Sequence, residues 1–317
     1  MRAFITGATG FAGSHLVTDL LSKGHQLIGL VHPASSHQAL PEHPQITAIE
    51  GNLMDLASLK KAVAQTQPDV IYHLAGQPSP GRSWEDPAFT LAINTGGTAN
   101  LLEAAVHYGR PRVVVVTSAE IYGMITPDEL PLTEASLPQP RHPYGVSKWA
   151  AGKLVDIYWK RYQLPVVEAR PFNHIGPHQA LGFVATDFAS QMAAIMLGKQ
   201  PPIISVGNLG AQRDFTDVRD VVGAYQALAE RGKPGEAYII CSGKPVSIQH
   251  LLDTLIELAD VTVDIEYDQA RMRPSDTPTL YGSYEKIKQD TGWTPKFGLR
   301  QSLSDALDDW LDRTRNV

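Results

Sequence analysis

Three glycines, Gly7, Gly10 and Gly13, span the junction between a short apolar run at residues 3–6 and an amphipathic segment at residues 11–21. Glycine tolerates the tight turn that such a junction needs, and its missing side chain lets backbone N–H groups approach a bound pyrophosphate. The positive end of the following helix stabilises the same anion. In this strand-to-helix context, the spacing predicts a dinucleotide-binding turn at the start of an α/β fold.

Strand and helix patterns continue to alternate after this turn, and Gly24 is placed to end the first helix. Further strands are predicted at residues 26–31, 46–50, 70–73, 112–117 and 164–170. Helical patterns lie between them, notably at residues 95–108 and 144–162. The four valines at residues 113–116 are typical of a strand that is covered on both faces, as in a parallel sheet. We therefore expect an α/β fold with a doubly wound parallel sheet, that is, a Rossmann fold.

The regular alternation ends near residue 170, where loops rich in proline and glycine begin. A helical pattern at residues 188–197 and a mixed tail follow. We expect residues 1–170 to form a dinucleotide-binding domain, to which part of residues 210–245 returns. Residues 171–317 then form mainly a second, smaller α/β lobe that binds substrate. The crevice between the two is the expected ligand site.

Composition narrows the classes of function. The chain carries 27 Lys and Arg residues against 33 Asp and Glu residues, and its net charge of −6 argues against nucleic acid as a partner. A single cysteine, Cys241, excludes an internal disulfide framework and a thiol-rich zinc site, and it favours a reducing, cytoplasmic location. No apolar run is long enough to predict a membrane span. The histidines lack the spacing of a metal site, so we expect no metal.

The end of the second predicted strand decides which nicotinamide cofactor fits. A carboxylate there would hold the ribose 2′-hydroxyl of NAD and would repel the 2′-phosphate of NADP. Residues 31–37 contain His32 and further hydroxyl and imidazole groups, but no acid and no arginine. This pattern favours NADP(H) and leaves NAD(H) open. After the third strand, Asn52 and Leu53 are placed to reach an adenine edge, although an ordinary turn explains them almost as well.

Tyr144 and Lys148 are four residues apart in a predicted helix, so their side chains share one face. A phenol with the usual pKa of about 10 becomes a usable acid–base group at neutral pH when an adjacent cation lowers that pKa. Such pairs are common on solvated helix faces, but this one follows a predicted strand that ends at Thr117 and Ser118. Because strand ends in this sheet face the crevice, Ser118 is expected to hydrogen-bond the substrate oxygen that Tyr144 protonates.

With these residues the chain resembles the extended short-chain dehydrogenase/reductases that act on nucleotide sugars. The resemblance runs along essentially the whole chain and is carried by motifs at residues 7–13, 73–77, 94–103, 117–123, 144–148, 170–173, 213–220 and 292–295. It implies that Tyr144 is the general acid/base, that Lys148 lowers its pKa and holds the nicotinamide ribose, and that Ser118 orients the substrate. It also implies a homodimer that pairs through the helices at residues 94–108 and 144–162.

The resemblance further assigns binding residues. Cofactor contacts are expected from Gly7, Gly10, Phe11, Gly13, His32, Asn52, Leu53, Leu74, Ala75, Tyr144, Lys148 and Pro171. Substrate contacts are expected from Asn173, Val184, Arg213 and Arg273. The two arginines match positions that bind the diphosphate of a nucleotide sugar, which planar guanidinium groups suit. The alternative is that they pair with Asp214 and Asp276. His73 is expected to pack in a turn rather than to catalyse.

The residues after Ser118 bear on the type of reaction. Dehydratases of this family use a glutamate base, usually preceded by an acidic neighbour that helps water to leave, whereas this chain has Ala119 before Glu120. Alanine cannot donate a proton, so the substitution disfavours elimination. Glu120 can still act as a base or bind the sugar, and it remains among the catalytic candidates.

Residues 173–189 and 207–215 resemble the branch of the family that acts on GDP-sugars. The resemblance favours NAD(P)H-dependent reduction of the 4-keto group of GDP-4-keto-6-deoxy-D-mannose to GDP-D-rhamnose. A GDP-mannose 4,6-dehydratase and a nucleotide-sugar 4-epimerase are the enzymatic alternatives. A cofactor-binding scaffold without turnover is the alternative from another class, and the presence of Ser118, Tyr144 and Lys148 argues against it.

Overall fold

The predicted alternation of strands and helices is present in the computed structural model, which describes residues 1–32, 40–271 and 278–315. The described strands are β1 (Arg2–Thr6), β2 (Gln26–Val31), β3 (Ile46–Glu50), β4 (Val70–His73), β5 (Arg112–Val116), β6 (Val166–Pro171), β7 (Asn173–Ile175), β8 (Ile203–Val206), β9 (Gln212–Asp217), β10 (Ala237–Ile240), β11 (Pro245–Ser247), β12 (Asp264–Tyr267) and β13 (Thr279–Leu280). The described helices are α1 (Phe11–Ser22), α2 (Leu56–Thr66), α3 (Arg82–Glu85), α4 (Pro87–Leu91), α5 (Gly97–His107), α6 (Pro143–Tyr162), α7 (Val184–Met196), α8 (Val218–Arg231), α9 (Ile248–Ala259), α10 (Glu285–Thr291) and α11 (Leu299–Arg315).

Seven parallel strands form the central sheet in the order β10-β6-β5-β4-β1-β2-β3. Val113, Val114 and Val115 of β5 are buried, as expected for a strand that is covered on both faces. The strand order reverses between β1 and β4, and at such a switch point the carboxyl ends of the strands leave a crevice for ligands. The predicted doubly wound α/β fold is therefore confirmed.

Helices cover both faces of this sheet. On one face, Leu16 and Leu20 of α1 share an apolar core with Tyr225 of α8. On the other face, Leu59 of α2 and Leu101 of α5 belong to a second core, to which α6 also contributes. Because the faces are covered, the carboxyl ends of the strands are the part of the sheet that is left to meet a ligand.

A further group of elements packs beside these strand ends. Phe188 of α7, Leu251 of α9 and Leu303 of α11 are buried together in an apolar core of their own. The short strands form a sheet of β11, β9 and β13, with β7 also paired to β9, and a pair of β8 with β12. Strand β10 lies next to β6 in the central sheet. The division of the chain into domains at residue 170 stays a prediction.

Two helices begin at least two residues away from their predicted starts, whereas Gly24 ends α1 as expected. The helix predicted at residues 95–108 is preceded by α4 and a π-helical turn at Ala92–Gly96, so α5 begins at Gly97. Helix α7 begins at Val184 rather than at residue 188. The earlier start was not predicted because Phe183, the residue before it, makes no side-chain cap and so leaves no capping signal in the sequence. Gly24 follows the last turn of α1 in the left-handed conformation, one residue beyond the cap Lys23.

Candidate active site

The glycine turn between β1 and α1 has the geometry that a dinucleotide needs. Gly7 has a φ of +74°, and a Cβ there would lie 2.8 Å from the backbone nitrogen of Ala75. A Cβ on Gly13 would lie 1.9 Å from the carbonyl oxygen of Gly7. Gly10 starts α1, which has no side-chain cap and no acidic residue in its first turn. The uncapped N–H groups and the positive end of the helix fit a pyrophosphate.

Two predicted cofactor residues that follow β4, Leu74 and Ala75, meet the end of β1. The backbone nitrogen of Leu74 donates to the carbonyl of Thr6 over 3.2 Å, and that of Ala75 donates to the Thr6 hydroxyl over 3.2 Å. Pro171 ends β6 at the same edge of the sheet. Phe11, at the start of α1, stacks on His174 with 5.6 Å between ring centroids. The structure therefore brings Leu74 and Ala75 against the end of β1.

Three residues are predicted to meet the adenosine half of the cofactor: His32, Asn52 and Leu53. His32 directly follows β2, and residues 33–39 of the same segment lie outside the described residues. Asn52 forms a turn in which its side-chain oxygen accepts from the backbone nitrogen of Met54 over 2.9 Å. Leu53 is buried, and its carbonyl accepts from the Asn100 side chain over 2.8 Å. Asn52 thus forms the ordinary turn that was the alternative explanation, and an adenine contact there stays a prediction.

His73 is a buried structural residue. Its Nδ1 lies 2.8 Å from the hydroxyl of Thr6, and its Nε2 lies 3.0 Å from the hydroxyl of Thr98. Thr98 donates its own proton to the carbonyl of Asn94, so it accepts from Nε2–H of a neutral imidazole. Burial, aided by the Lys148 ammonium, lowers the pKa of His73 to about 3. A neutral ring with both nitrogens bonded is a packing residue, as the sequence predicted, although it ends β4 instead of lying in a turn.

Three predicted catalytic residues meet where β5 ends against the first turn of α6. Ser118 follows β5, and its side chain hydrogen-bonds that of Tyr144. Lys148, one turn along α6, donates from Nζ to the carbonyl of Val116 over 2.9 Å. Its Nζ lies 5.9 Å from the centroid of the Tyr144 ring. Tyr144, Lys148 and Ser118 are each only 8% exposed, so water has little access to them.

The charge states of this group differ from the sequence prediction in one respect. Burial raises the pKa of Tyr144 to about 12; the hydrogen bond from Ser118 opposes this shift and the Glu120 carboxylate adds to it. Burial also lowers the pKa of Lys148 to about 8. The expected lowering of the phenol pKa by Lys148 is therefore not present in the protein alone, because burial of the phenol dominates its pKa and the Lys148 Nζ lies 5.9 Å from the ring centroid. Tyr144 is a protonated phenol at neutral pH.

Asn94 supports this group and was not singled out from the sequence. It lies in the π-helical turn at Ala92–Gly96, an irregularity that is frequent at functional sites. Its side-chain nitrogen donates to the hydroxyl of Ser147 over 2.9 Å, and Ser147 donates to the carbonyl of Tyr144 over 2.7 Å. Its side-chain oxygen accepts from the backbone nitrogen of Gln77 over 2.8 Å. Asn94 thus ties the loop after β4 to the helix that carries Tyr144.

A buried ion pair lies beneath Ser118. Arg170 contacts Glu168 through two hydrogen bonds of 2.8 and 3.0 Å, and Glu168 also accepts from the hydroxyl of Thr117 over 2.7 Å. The carboxylate leaves no space on α6, since a Cβ on Gly152 would lie 2.3 Å from Glu168 Oε1. The pair fixes the end of β5 and brings α6 close to the sheet.

Glu120 has a partner that the sequence did not reveal. Its carboxylate accepts from Nε2 of His142 over 3.0 Å. His142 is the residue before α6, and its Nδ1 accepts from the backbone nitrogen of Gly145 over 2.9 Å. A proline at the first helical position usually follows an N-cap, so Pro143 was the signal that could have identified His142 as a cap.

The predicted substrate residues lie on the elements beside the crevice. Asn173 is on β7, which pairs with β9, the strand that carries Arg213. Arg213 donates to the carbonyl of Gln212 over 2.8 Å. Val184 is the first residue of α7. Arg273 lies outside the described residues, so its role stays a prediction.

Asp214 is held by other groups than the neighbouring arginine. It accepts from the backbone nitrogen and the hydroxyl of Ser242, both over 2.7 Å, and from the backbone nitrogen of Gly243 over 2.9 Å. Burial raises its pKa, and these hydrogen bonds oppose the shift. Its carboxylate anchors the loop after β10 to β9.

Two findings concern metal and membrane partners. Within the described residues, no group of three or more His, Cys, Asp and Glu side chains is placed to hold a metal ion. In the same part of the chain, the helices lack the length and apolar character that crossing a membrane requires.

Comparisons with known proteins agree with this geometry. A family model described as GDP-mannose 4,6 dehydratase matches residues 4–306. The chain is 36% identical over 315 residues to GDP-6-deoxy-D-mannose reductase of Pseudomonas aeruginosa, covering 99% of this chain and 98% of that protein. It is similar to the solved structure of RMD from Pseudomonas aeruginosa complexed with NADPH, at a TM-score of 0.87, 35% identity and coverage of 98% and 99% of the two chains. It is also similar to UDP-glucose 4-epimerase of Thermotoga maritima with UDP-glucose, at a TM-score of 0.88, 26% identity and coverage of 99% and 100%.

The glycine turn predicts the effect of adding one methyl group. Gly13→Ala places a Cβ against the Gly7 carbonyl, so the turn must move; we expect a loss of about 1–3 kcal/mol of unfolding free energy and at least a tenfold weaker affinity for NADPH. Thermal unfolding and NADPH titration measure the two effects. Gly96→Ala is the matched control, because a Cβ there meets nothing within 4 Å. Wild-type NADPH affinity in Gly13→Ala would contradict the assignment of the turn.

Burial of Lys148 predicts that this residue lowers stability at neutral pH. Its pKa in the folded protein, about 8, lies below the ordinary value of 10.5, so the folded state holds an unfavourably buried ammonium below pH 8. Lys148→Met should raise the free energy of unfolding by about 3 kcal/mol at pH 7. The gain should shrink as the pH rises from 8 to 10.5, where the unfolded lysine also loses its proton. Denaturant unfolding across this pH range measures it, and a gain that does not depend on pH would contradict the explanation.

Proposed function

The chain belongs to the GDP-mannose 4,6 dehydratase family of extended short-chain dehydrogenase/reductases, and we propose that it reduces the 4-keto group of GDP-4-keto-6-deoxy-D-mannose to give GDP-D-rhamnose, with NADPH as the preferred reductant. The proposal is supported by the placement of Ser118, Tyr144 and Lys148 together at the buried end of β5, in a chain that is 36% identical over 99% of its length to a GDP-6-deoxy-D-mannose reductase. A reduction needs a proton donor at the substrate oxygen, and Tyr144 is placed to be that donor.

The residues of the site divide the work of the reduction. When bound, the cofactor supplies a hydride to C4 of the sugar. Tyr144 donates its phenolic proton to the C4 oxygen, so the carbonyl becomes a hydroxyl. Ser118 hydrogen-bonds the same oxygen and stabilises the negative charge that develops on it. Lys148 lies one turn along α6, where the family resemblance places the nicotinamide ribose. The Tyr144 phenolate then takes up a proton from solvent, so each turnover consumes one NADPH and one proton.

Several features support NADPH as the reductant. The glycine turn fits the pyrophosphate that NADPH and NADH share, and His32 follows β2 in a segment without the acidic residue that would favour NADH. The structure of RMD from Pseudomonas aeruginosa is complexed with NADPH. NADH stays a second reductant to be tested, since other similar structures are of proteins with NAD.

Two features support reduction over elimination of water. Ala119 occupies the position where dehydratases of the family usually have an acidic proton donor. The carboxylate of Glu120, the residue that would act as the base, accepts a hydrogen bond from His142. A carboxylate that already accepts a hydrogen bond is a weaker base toward a sugar carbon.

We also propose that the protein is a homodimer. Helix α6 exposes Val146, Trp149 and Ile157, which recur along one side of the helix, and neighbouring α4 exposes Phe89. Large apolar side chains grouped in this way mark an interaction surface, and helix α6 is one of the two helices through which the family resemblance implies pairing. A cytoplasmic location, which the single cysteine favours, stays a prediction.

The proposed activity predicts a defined set of assay results. The purified protein should oxidise NADPH when GDP-4-keto-6-deoxy-D-mannose is supplied and should form no keto sugar from GDP-mannose alone. Tyr144→Phe removes the proton donor, so we expect kcat to fall by about 10²–10⁴-fold while NADPH affinity stays within about threefold of wild type. Absorbance at the NADPH band and fluorescence titration measure the two quantities.

Each rival function has its own outcome in this assay. A keto sugar formed from GDP-mannose without reductant identifies a dehydratase. Interconversion of C4 epimers without net NADPH oxidation identifies an epimerase. Cofactor binding without turnover across a panel of GDP- and UDP-sugars identifies a scaffold, and unchanged kcat in Tyr144→Phe would remove this residue as the proton donor.

The proposed dimer is tested by placing charge on the exposed face of α6. Trp149→Glu combined with Ile157→Glu should shift the protein from twice the chain mass to the chain mass of 34.5 kDa. In the dimer, the new carboxylates would be buried against the same face of α6 in the second copy, which carries the same charges. Size-exclusion chromatography with light scattering measures the mass. Leu137→Glu, at another exposed apolar position, is the control and should leave it unchanged. A wild-type mass of one chain would contradict the proposal.

A further inference from the structure

His142 caps the helix that carries the proposed proton donor. Its Nδ1 accepts from the backbone nitrogen of Gly145 over 2.9 Å, which satisfies one of the N–H groups that the first turn of α6 leaves unpaired. Tyr144 lies between the cap and this amide. The cap therefore holds the turn that carries the Tyr144 backbone.

The two contacts of the imidazole fix its tautomer. Because Nδ1 accepts from Gly145 N–H, the proton of a neutral ring must be on Nε2. Nε2 lies 3.0 Å from the Glu120 carboxylate, which is an acceptor for that proton. Glu120 thus selects the one neutral tautomer in which His142 can cap α6. A doubly protonated ring would direct Nδ1–H at Gly145 N–H and lose the cap.

The same two residues touch the catalytic group at two further points. The His142 ring lies nearly parallel to the Tyr144 ring, with 5.9 Å between centroids and 24° between planes. The backbone nitrogen of Glu120 donates to the hydroxyl oxygen of Ser118 over 3.1 Å, which orients the residue that bonds the Tyr144 phenol. The turn at Glu120 and the start of α6 are in close contact, because a Cβ on Gly145 would lie 2.8 Å from the Glu120 carbonyl oxygen.

We propose that His142 and Glu120 form a positioning pair for Tyr144, in which Glu120 holds His142 as the Nε2–H tautomer and His142 fixes the first turn of α6 and the face of the Tyr144 ring. The inference rests on the proposed role of Tyr144 as proton donor and gives Glu120 a role other than that of a base. A closed set of contacts results, running from Ser118 through Glu120 and His142 to Tyr144 and back to Ser118. Neither His142 nor its pairing with Glu120 was evident from the sequence.

The pair is tested by three substitutions that separate capping from pairing. His142→Asn keeps a side-chain acceptor that is favoured at helix starts and removes the ring and its contact with Glu120. We expect kcat to fall by about 10- to 100-fold, because the Tyr144 phenol is no longer held in position to transfer its proton. KM and NADPH affinity should change by less than about threefold, because the residues that bind the two ligands are unchanged. Glu120→Ala should give a similar loss. Glu120→Gln, whose amide oxygen still accepts from Nε2–H, should recover most of that loss.

The coupling between the two sites is the decisive quantity. Since both single changes break one set of contacts, the double variant Glu120→Ala with His142→Asn should lose no more than about threefold beyond either single variant. His250→Asn, on the exposed surface of α9, is the control and should leave kcat unchanged. Losses that multiply in the double variant, or wild-type kcat in His142→Asn, would overturn the proposal.

A spectroscopic measurement tests the pair without turnover. Imidazole ¹⁵N spectra of the full chain, with the His142 signals identified by their absence in His142→Asn, should show a bare Nδ1 and a protonated Nε2 at neutral pH. Glu120→Ala should abolish this fixed pattern and Glu120→Gln should preserve it. A His142 signal that averages both tautomers in the wild type would overturn the proposal. If the wild type instead shows the fixed tautomer but reduces no 4-keto sugar, the proposed function fails and the pairing stands.

Discussion

The structure depends on the contact between the end of β5 and the first turn of α6. This contact places Ser118 against Tyr144, and close packing enforces it: Gly145 has no space for a side chain beside the Glu120 carbonyl, and Gly152 has none beside the Glu168 carboxylate. The sheet and the helix therefore approach as a unit, and the hydroxyl groups of the two residues meet without a flexible link. A rigid support of this kind pre-organises a proton donor, because its geometry is set before substrate binds.

Burial at this contact has opposite effects on stability and on chemistry. The Tyr144 phenol keeps its proton because its anion would be poorly solvated, and the Lys148 ammonium is unfavourable for the same reason. Two polar groups that are buried nearby are instead paired, since Glu168 contacts Arg170 and His73 contacts Thr6 and Thr98. Around the end of β5, unfavourable burial thus falls on Tyr144 and Lys148, the two residues that the reaction requires.

The sequence was most informative where one local pattern determines the structure. Continuous apolar runs such as residues 113–116 predicted the parallel sheet, and the glycine spacing predicted the turn at Gly7, because both follow from backbone geometry and burial alone. The Tyr144–Lys148 spacing likewise placed both side chains on one face of α6. The predicted pKa shift of Tyr144 was wrong in direction, since the sequence does not reveal how deeply a side chain is buried.

Features that need contacts between distant segments were missed. The pairing of His142 with Glu120 joins residues that are far apart in the sequence, and the π-helical turn that carries Asn94 is a local irregularity. The start of helix α7 was predicted too late in the chain, because no capping side chain marks it. The roles of Arg273 and of residues 33–39 rest on the sequence alone.

Reduction at this site requires hydride at C4 of the sugar and a proton from Tyr144 at the C4 oxygen. Product analysis by NMR, after incubation of GDP-4-keto-6-deoxy-D-mannose with NADPH that carries deuterium at the transferable position, tests both at once. We expect one deuterium at C4 of the GDP-6-deoxysugar and none at C5 or C6. A keto sugar that stays unreduced while the deuterium stays in the cofactor would be the opposite result.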